Sequence, residues 1–226
     1  MLAHQTMVAN DGYEVMLFPL DYMNITQGEN GQYSHQGTKN IDFIGWNSSG
    51  RVYQAPLYAP CTCRCIRLLD PNSNGYIFES TRPVHTPTGL QYINFTFAHD
   101  DNPNVSVGMT INQGDLIGNT GTAGNVTGDH VHFNCATGRY AGWETVPPAN
   151  KGQLVNSTHI YDICYINDTV LIDDYNYGWT TFSGDITPIM RRNKKFKWVL
   201  YSRRIREKAR RVSSLRKCFN NGCRRY

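Results

Sequence analysis

Nowhere does this chain of 226 residues hold an apolar run approaching the roughly 18 residues that a membrane span requires. Its first residues, Met1-Leu2-Ala3-His4-Gln5-Thr6, have neither a basic start nor a continuous apolar stretch, so no secretory signal peptide is read there. Long helical periodicity is missing from the first 180 residues, which excludes a helical bundle. There is no H-E-x-x-H motif, so no glutamate stands between two helical histidines to act as a base. No motif of an RNA- or DNA-binding module occurs either, which makes sequence-specific nucleic-acid binding an unsupported reading.

What is present favours strands. Hydrophobic residues make up 40% of the chain, enough for a globular core, and its 14 Tyr are spread with Val, Ile, Thr and Phe in short runs. Turn residues interrupt these runs every ten or so positions, as at Pro71-Asn72-Ser73-Asn74-Gly75 and Asn102-Pro103-Asn104. The pattern predicts a mainly β fold, an antiparallel sheet core with a groove bounded by loops. Ile163-Cys164-Tyr165-Ile166 and Val170-Leu171-Ile172, joined by Asn167-Asp168, read as a β-hairpin extending that core. Tyr175, Tyr177, Trp179 and Phe182 read as packing residues. Seven Cys is an odd number, so at least one is unpaired. Cys61, Cys63 and Cys65 alternate along one strand and share a face, about 7 Å apart, which is awkward for a single ion and suits buried core thiols. Cys218 and Cys223 could close a small loop. Asn-x-Ser/Thr triplets at Asn24, Asn94, Asn125 and Asn156 read as a by-product of an Asn- and Thr-rich composition rather than as glycan sites.

The most informative feature is His130-Val131-His132, which follows the glycine-rich run Gly114 to Gly124. Val131 and Phe133 make the segment a strand, so both imidazoles project from one face. One can bind a metal while its neighbour moves protons. His35 and Asp42 offer a further imidazole and carboxylate across a six-residue loop containing Gly37, and Asp42 sits in the apolar stretch Ile41-Asp42-Phe43-Ile44, where a carboxylate needs a partner. His35, Asp42 and one of the paired histidines would give three ligands and leave a fourth position open, the pattern of a catalytic zinc. His99 ends the apolar strand Tyr92–Ala98 and meets the polar turn Asp100-Asp101-Asn102-Pro103. His4, His85 and His159 stay with the default of ordinary surface or core residues. A lone H-x-H also occurs in cupin-like barrels, but a glutamate should follow it, and Phe133-Asn134-Cys135-Ala136-Thr137 supplies none.

In this order, His35…Asp42, the strand ending in His99, then Gly114-Asp115-Leu116-Ile117-Gly118 and Gly128-Asp129-His130-Val131-His132-Phe133, the chain resembles the lysostaphin-type zinc endopeptidases that cut bacterial cell-wall peptides. The resemblance spans about residues 15 to 136. It implies one Zn2+ on His35, Asp42 and His132, with His99 and His130 as the non-ligating catalytic histidines, and a peptidoglycan peptide as substrate. Two departures from the family stand out. The loop before Asp42 is longer than usual and has to fold back, which Gly37 permits. Asp129 stands where the family often has proline.

Charge is divided unevenly. From Arg191 to Tyr226 there are fifteen Lys or Arg and one acid, Glu207, which leaves seven basic and 17 acidic residues in the rest of the chain. Lys195 to Phe219 contains good helix formers without Gly or Pro, and Ile205, Ala209, Val212, Arg216 and Phe219 follow helical spacing. The expected organisation is therefore an endopeptidase domain over residues 1–184 and a basic, helical C-terminal arm over 185–226. Such an arm suits an acidic surface, nucleic acid, anionic lipid or a charged wall polymer. The functional expectation is a phage zinc endopeptidase mounted on the virion, in the tail, that opens the wall at infection, with other tail proteins or an anionic polymer as partners of the arm. The alternatives are a soluble endolysin acting from the host cytoplasm at lysis, and a structural virion protein with little activity.

Overall fold

In Ile41–Asn47, Ile93–Ala98 and Val131–Thr137, apolar side chains alternate with polar ones, and strand geometry sends successive side chains to opposite faces. These three strands lie side by side in the middle of a ten-stranded sheet. The computed structural model describes residues 3–166, 172–173, 177–187, 190–192 and 198–200. Across the sheet the order is Thr110–Ile111, Cys63–Asp70, Gly75–Ser80, Ile93–Ala98, Val131–Thr137, Ile41–Asn47, Met23–Gln27 and Ile172–Asp173, with Gly50–Val52 and Ser157–Thr158 paired off this path. Every pairing in it is antiparallel except that of Ile172–Asp173 with Met23–Asn24.

One face of the sheet is apolar. Phe43, Phe78, Phe95 and Phe133 are fully buried there and join Phe18 and Phe97 in one cluster. Their rings meet at 4.8 Å for Phe97 and Phe133, 4.9 Å for Phe18 and Phe43, and 5.2 Å in a stack of Phe78 on Phe95. Burial of each such side chain contributes roughly 1.5–3 kcal/mol, so this cluster is what fixes the register of the central strands. The opposite face carries the polar partners of the same strands, with Ala98 opposite His132, His132 opposite Asp42, and Asp42 opposite Gln27. A single cross-strand row thus carries the chemistry, and its position follows from the phenylalanines on either side of it.

The alternating cysteines belong to the core. Cys61, Cys63 and Cys65, together with Cys135 and Cys164, are free thiols in the same cluster as the phenylalanines, each fully buried. Burial pushes the thiols of Cys61, Cys63 and Cys135 well up, and that of Cys65 up to about 11. Cys218 and Cys223 lie outside the described residues. Tyr177 and Trp179 pack against the same core, and Phe182 against a smaller cluster of Met7, Ala9, Val15 and Leu17. Tyr175 lies outside the described residues.

Of the expected hairpin of Ile163–Ile166 with Val170–Ile172, Tyr165 and Ile166 bridge Leu17 and Thr181 instead, and Val170 and Leu171 lie outside the described residues. Ile160–Ile163 is a short helix, and Ile172–Asp173 joins the edge of the main sheet beside Met23–Asn24. Ile160 and Ile163, three residues apart on that turn, are both wholly buried on the core. Backbone pairing continues past residue 184, since Val8–Ala9 pairs with Ile186–Thr187 and the Asn10 amide donates to the Asp185 carbonyl at 3.1 Å. In the basic arm, Met190–Arg192 pairs antiparallel with Trp198–Leu200, so the described part of the segment expected to be helical is strand. The apolar stripe Ile205, Ala209, Val212, Arg216 and Phe219 lies outside the described residues.

Alkylation tests the core assignment of the five thiols. Brief iodoacetamide treatment of native protein, mapped by mass spectrometry, should leave Cys61, Cys63, Cys65, Cys135 and Cys164 unmodified, and all five should react in denaturant. Rapid native labelling of Cys61, Cys63 or Cys65 would remove them from the core.

Candidate metal centre and its groove

Asp42 is nearly buried, and its two oxygens are used differently. Oδ1 lies 3.2 Å from His35 Nε2 and 2.9 Å from His132 Nδ1, and those two nitrogens are 3.3 Å apart. Oδ2 accepts a hydrogen bond of 2.9 Å from the Gln27 side-chain amide. Burial alone would raise this carboxyl, but the hydrogen bonds and charges of His132 and His35 outweigh it and hold Asp42 well below the usual carboxylate range. Burial pushes His132 down, against the pull of Asp42.

His35 is brought to the sheet by the loop expected to fold back. Gly37 adopts φ +80°, and the Thr38 amide and hydroxyl both donate to the His35 carbonyl. A Cβ at Gly37 would stand 2.8 Å from the Pro147 carbonyl oxygen, so glycine is required for space as well as for backbone angle. Asn40 donates to Gly152 O, and Lys39 to Ser157 O, which ties the end of the loop down. His35 Nδ1 is 3.0 Å from the Gly28 carbonyl. A carbonyl only accepts, so Nδ1 carries the proton and Nε2 presents a bare lone pair to Asp42 Oδ1. Three donor atoms therefore converge where at most one proton, on His132, separates them.

That donor set fits a divalent cation. Two imidazoles and a carboxylate are a catalytic zinc set, and four-coordinate ligands at about 2.0–2.1 Å from zinc stand about 3.3 Å from one another. The measured separations of 2.9 to 3.3 Å match that spacing. Among the described residues, His35, Asp42 and His132 form a group of side chains able to hold a metal ion.

His99 and His130 stand beside this group without joining it. Their ring centroids are 4.7 Å apart, and His99 is 6.0 Å from His132. Each turns Nδ1 to a backbone carbonyl, His99 to Ala123 at 2.8 Å and His130 to Gly128 at 2.7 Å, which places the proton of the neutral ring on Nδ1; His130 Nε2 lies 3.9 Å from Asp42 Oδ1. Burial, with the nearby His132, pushes His99 down to about 4, so it is neutral at pH 7. His99 also sits at φ +83°, a left-handed conformation costing on the order of 1–3 kcal/mol for a non-glycine residue. Its backbone is held there from both sides, with its amide donating to Ser73 O at 2.6 Å and its carbonyl accepting from the Ala123 amide at 3.1 Å.

The glycine-rich run explains itself at this point. A Cβ on Gly118 would lie 2.3 Å from Asp100 Oδ2, and one on Gly121 would lie 2.3 Å from the His99 carbonyl oxygen. Asp100 Oδ2 accepts from the Asn119 amide, and Asp101 accepts from the amide and hydroxyl of Thr122. Gly121 exchanges two backbone hydrogen bonds of 3.0 Å with His130. One strip of backbone is thus clamped between the two histidines. Asp129 is buried and accepts from Thr120 Oγ1 at 2.8 Å and from the Gln54 amide at 2.9 Å, which anchors the approach to His130 where a proline would otherwise stiffen it.

The structure therefore brings together all five residues singled out in the sequence: His35, Asp42 and His132 as one cluster, His99 and His130 alongside. The other three histidines pair elsewhere, His4 with Asp21, His85 with Asp11 and His159 with Glu29. Gln27, Ser73, Asp100 and Asp101 escaped sequence reasoning. Gln27 has no local signal at all, and only its cross-strand position opposite Asp42 reveals it. All five histidine and aspartate side chains face a groove of 680 Å³ or support its floor. Asn125 lines this groove, and Asn94 is buried, so neither triplet suits a glycan.

Residues 84–156 match the family described as peptidase family M23, a span that contains His99, His130 and His132 and leaves His35 and Asp42 outside it. The chain is 36% identical over 173 residues to Morphogenesis protein 1 of Bacillus phage B103, an alignment covering 75% of this chain and 45% of that protein. It spans less than half the length of that relative. Among solved structures it is similar to a zinc containing peptidase from Vibrio cholerae, with TM-score 0.42 and 20% identity over 66% of this chain and 44% of that one. It is also similar to the catalytic domain of the antimicrobial peptidase lysostaphin from Staphylococcus simulans, with TM-score 0.36 and 19% identity over 51% of this chain and 79% of that one.

Replacing Gly121 tests the clamp. Gly121→Ala should destabilise the fold by about 1–3 kcal/mol and shift the imidazole NMR signals of His99 and His130 while leaving those of His35 in place. Unchanged His99 signals would show that the close approach is not needed.

Proposed function

The chain carries a domain of peptidase family M23, and from that premise we propose that it is a zinc endopeptidase acting on peptides of bacterial peptidoglycan. One observation carries the reading. Three donor atoms spaced for one zinc stand next to two histidines whose Nδ1 atoms are held by backbone carbonyls, in a groove open to a peptide chain. His35 through Nε2, Asp42 through Oδ1 and His132 through Nδ1 would hold the ion. When bound, zinc polarises the scissile carbonyl and brings a water's pKa toward neutrality.

The chain's own groups supply the rest. His99, neutral at pH 7, is fit to accept a proton at Nε2, because its Nδ1 proton is committed to Ala123 O. His130 shares that arrangement through Gly128 O, so the pair can divide acceptance of a proton from donation to the oxyanion or the leaving amine. Gln27 fixes Asp42 by its outer oxygen and leaves the inner one for the metal.

The biological setting proposed is the phage particle, in the tail, where the enzyme would open the wall during infection. The likeness to a phage protein named for morphogenesis supports that setting over a soluble lysis enzyme. The basic arm from 185 onward is proposed to dock the domain on a tail protein or an anionic polymer. Detection of the chain by antibody in purified particles separates the two settings, since a lysis enzyme would be absent from them.

Mutation tests the site. Wild-type protein should contain about one zinc per chain and release peptides from purified walls. His132→Ala should lose both metal and activity. His99→Ala and His130→Ala should retain zinc and lose roughly 100-fold or more in turnover. Full zinc in His132→Ala would remove it from the ligand set, and near-normal turnover in either other variant would reduce that histidine to a structural role.

A further inference from the structure

The groove has a carboxylate toward each end of its floor, Asp42 on Ile41–Asn47 and Asp70 four strands away on Cys63–Asp70. Among the described residues its lining includes two carboxylates, Asp42 and Asp70, and no lysine or arginine. Asp42 is used by the histidines and Gln27, whereas Asp70, the other carboxylate of the lining, takes its hydrogen bonds from its own turn. Asp70 ends the strand Cys63–Asp70 and is half-buried. Its Oδ1 accepts from the Asn72 amide at 2.9 Å and its Oδ2 from Ser73 Oγ at 2.5 Å. Those two bonds use half of the roughly four acceptor positions of a carboxylate, so each oxygen can take another donor. Ser73 is in turn bonded through its carbonyl to the His99 amide, so the turn that fixes Asp70 also fixes a histidine of the centre.

The residue before it matters equally. In a regular strand Leu69 and Asp70 would face opposite sides. The pairing with Gly75–Ser80 is irregular between Leu68 and Asp70, and both Leu69 and Asp70 line the groove. Trp143 lines it too, and Leu69 and Trp143 pack on the same small apolar cluster of Ile77, Ala136 and Leu154. A carboxylate that follows a leucine, in a groove where that leucine shares an apolar cluster with an indole, is complementary to a methylene chain that ends in an ammonium group.

We propose that Leu69, Asp70 and Trp143 form a subsite for an aminoalkyl side chain of the peptide, with the ammonium on Asp70 and the methylenes along Leu69 and Trp143. This rests on the reading of the groove as a peptide site. The subsite would favour substrates with a free side-chain amine near the scissile bond and disfavour a carboxylate there. A free amino terminus offers the same ammonium without the methylene stem, so the apolar wall favours the side chain.

Two experiments test it, one of them independent of catalysis. In NMR titrations of the zinc-loaded protein, acetyl-Ala-Lys-Ala-amide should shift signals of Leu69, Asp70 and the Trp143 indole. The same peptide with its lysine acetylated should bind about two- to fivefold more weakly, the scale of a partly exposed ion pair. Asp70→Asn keeps Oδ1 for the Asn72 amide and sets an NH2 against Ser73 Oγ, whose hydroxyl can turn to accept, and it should bind the two peptides alike. Equal binding of both peptides by wild-type protein would overturn the proposal, even if Asp70→Asn should fail to fold. Tighter binding of Ala-Ala-Ala-amide, with its free amino terminus, would also overturn it. In wall digestion, chemical acetylation of wall amines should slow the wild type and leave Asp70→Asn unaffected. A protein that binds the lysine peptide as described yet digests no wall would count against the endopeptidase reading and leave the subsite standing, whereas digestion indifferent to acetylation would sink the subsite alone.

Discussion

Everything at the centre of this protein depends on one nearly buried carboxylate. Asp42 lies on the polar face of a strand whose other face carries Phe43 and Ile41 into the core. A charge in that position is costly unless partners surround it. Here two imidazoles meet one oxygen and an amide meets the other. Because His132 is its cross-strand neighbour, the pairing of two strands sets the distance between them, and no loop has to be trusted with it. His35 is the ligand candidate supplied by a loop, and that loop is restrained by Gly37, Thr38, Lys39 and Asn40 in succession.

The second layer of organisation is the use of backbone carbonyls to aim imidazoles. Gly28, Ala123 and Gly128 each accept from an Nδ1 atom; the buried His35 then turns Nε2 to Asp42, and His99 and His130 line the groove. The strained backbone of His99 is held by Ser73 and Ala123, and the glycines at 118 and 121 let the neighbouring strand approach closely enough to make that possible. Conformational cost is stored next to the chemistry and offset by hydrogen bonds and burial further out.

Much of this was legible in the sequence because it follows short-range rules. The period of two around His130-Val131-His132 placed both rings on one face, and the alternation of Cys61, Cys63 and Cys65 placed the thiols together in the core. An isolated carboxylate between Ile41 and Phe43 pointed to a partnered group, and it is partnered. What was not legible depends on distant pairing. Gln27 is 15 residues from Asp42 in sequence and adjacent to it in the sheet. Asp100 and Asp101 looked like turn residues, and their function as clamps on Asn119 and Thr122 appears only when two loops meet. The apolar run Ile163–Ile166 read as one arm of a local hairpin, but only Ile163 belongs to the short helix, and Tyr165 and Ile166 bridge the sequence-distant Leu17 and Thr181.

The account rests on the three atoms His35 Nε2, Asp42 Oδ1 and His132 Nδ1 sharing one zinc ion, with His99 and His130 outside its coordination. Anomalous diffraction from crystals of the purified protein, collected on both sides of the zinc absorption edge, tests that most directly. One peak within bonding distance of those three atoms is expected, with both Nε2 atoms of His99 and His130 too far away to bind. A peak bonded to His99 or His130, or none in the groove of zinc-loaded protein, would contradict it.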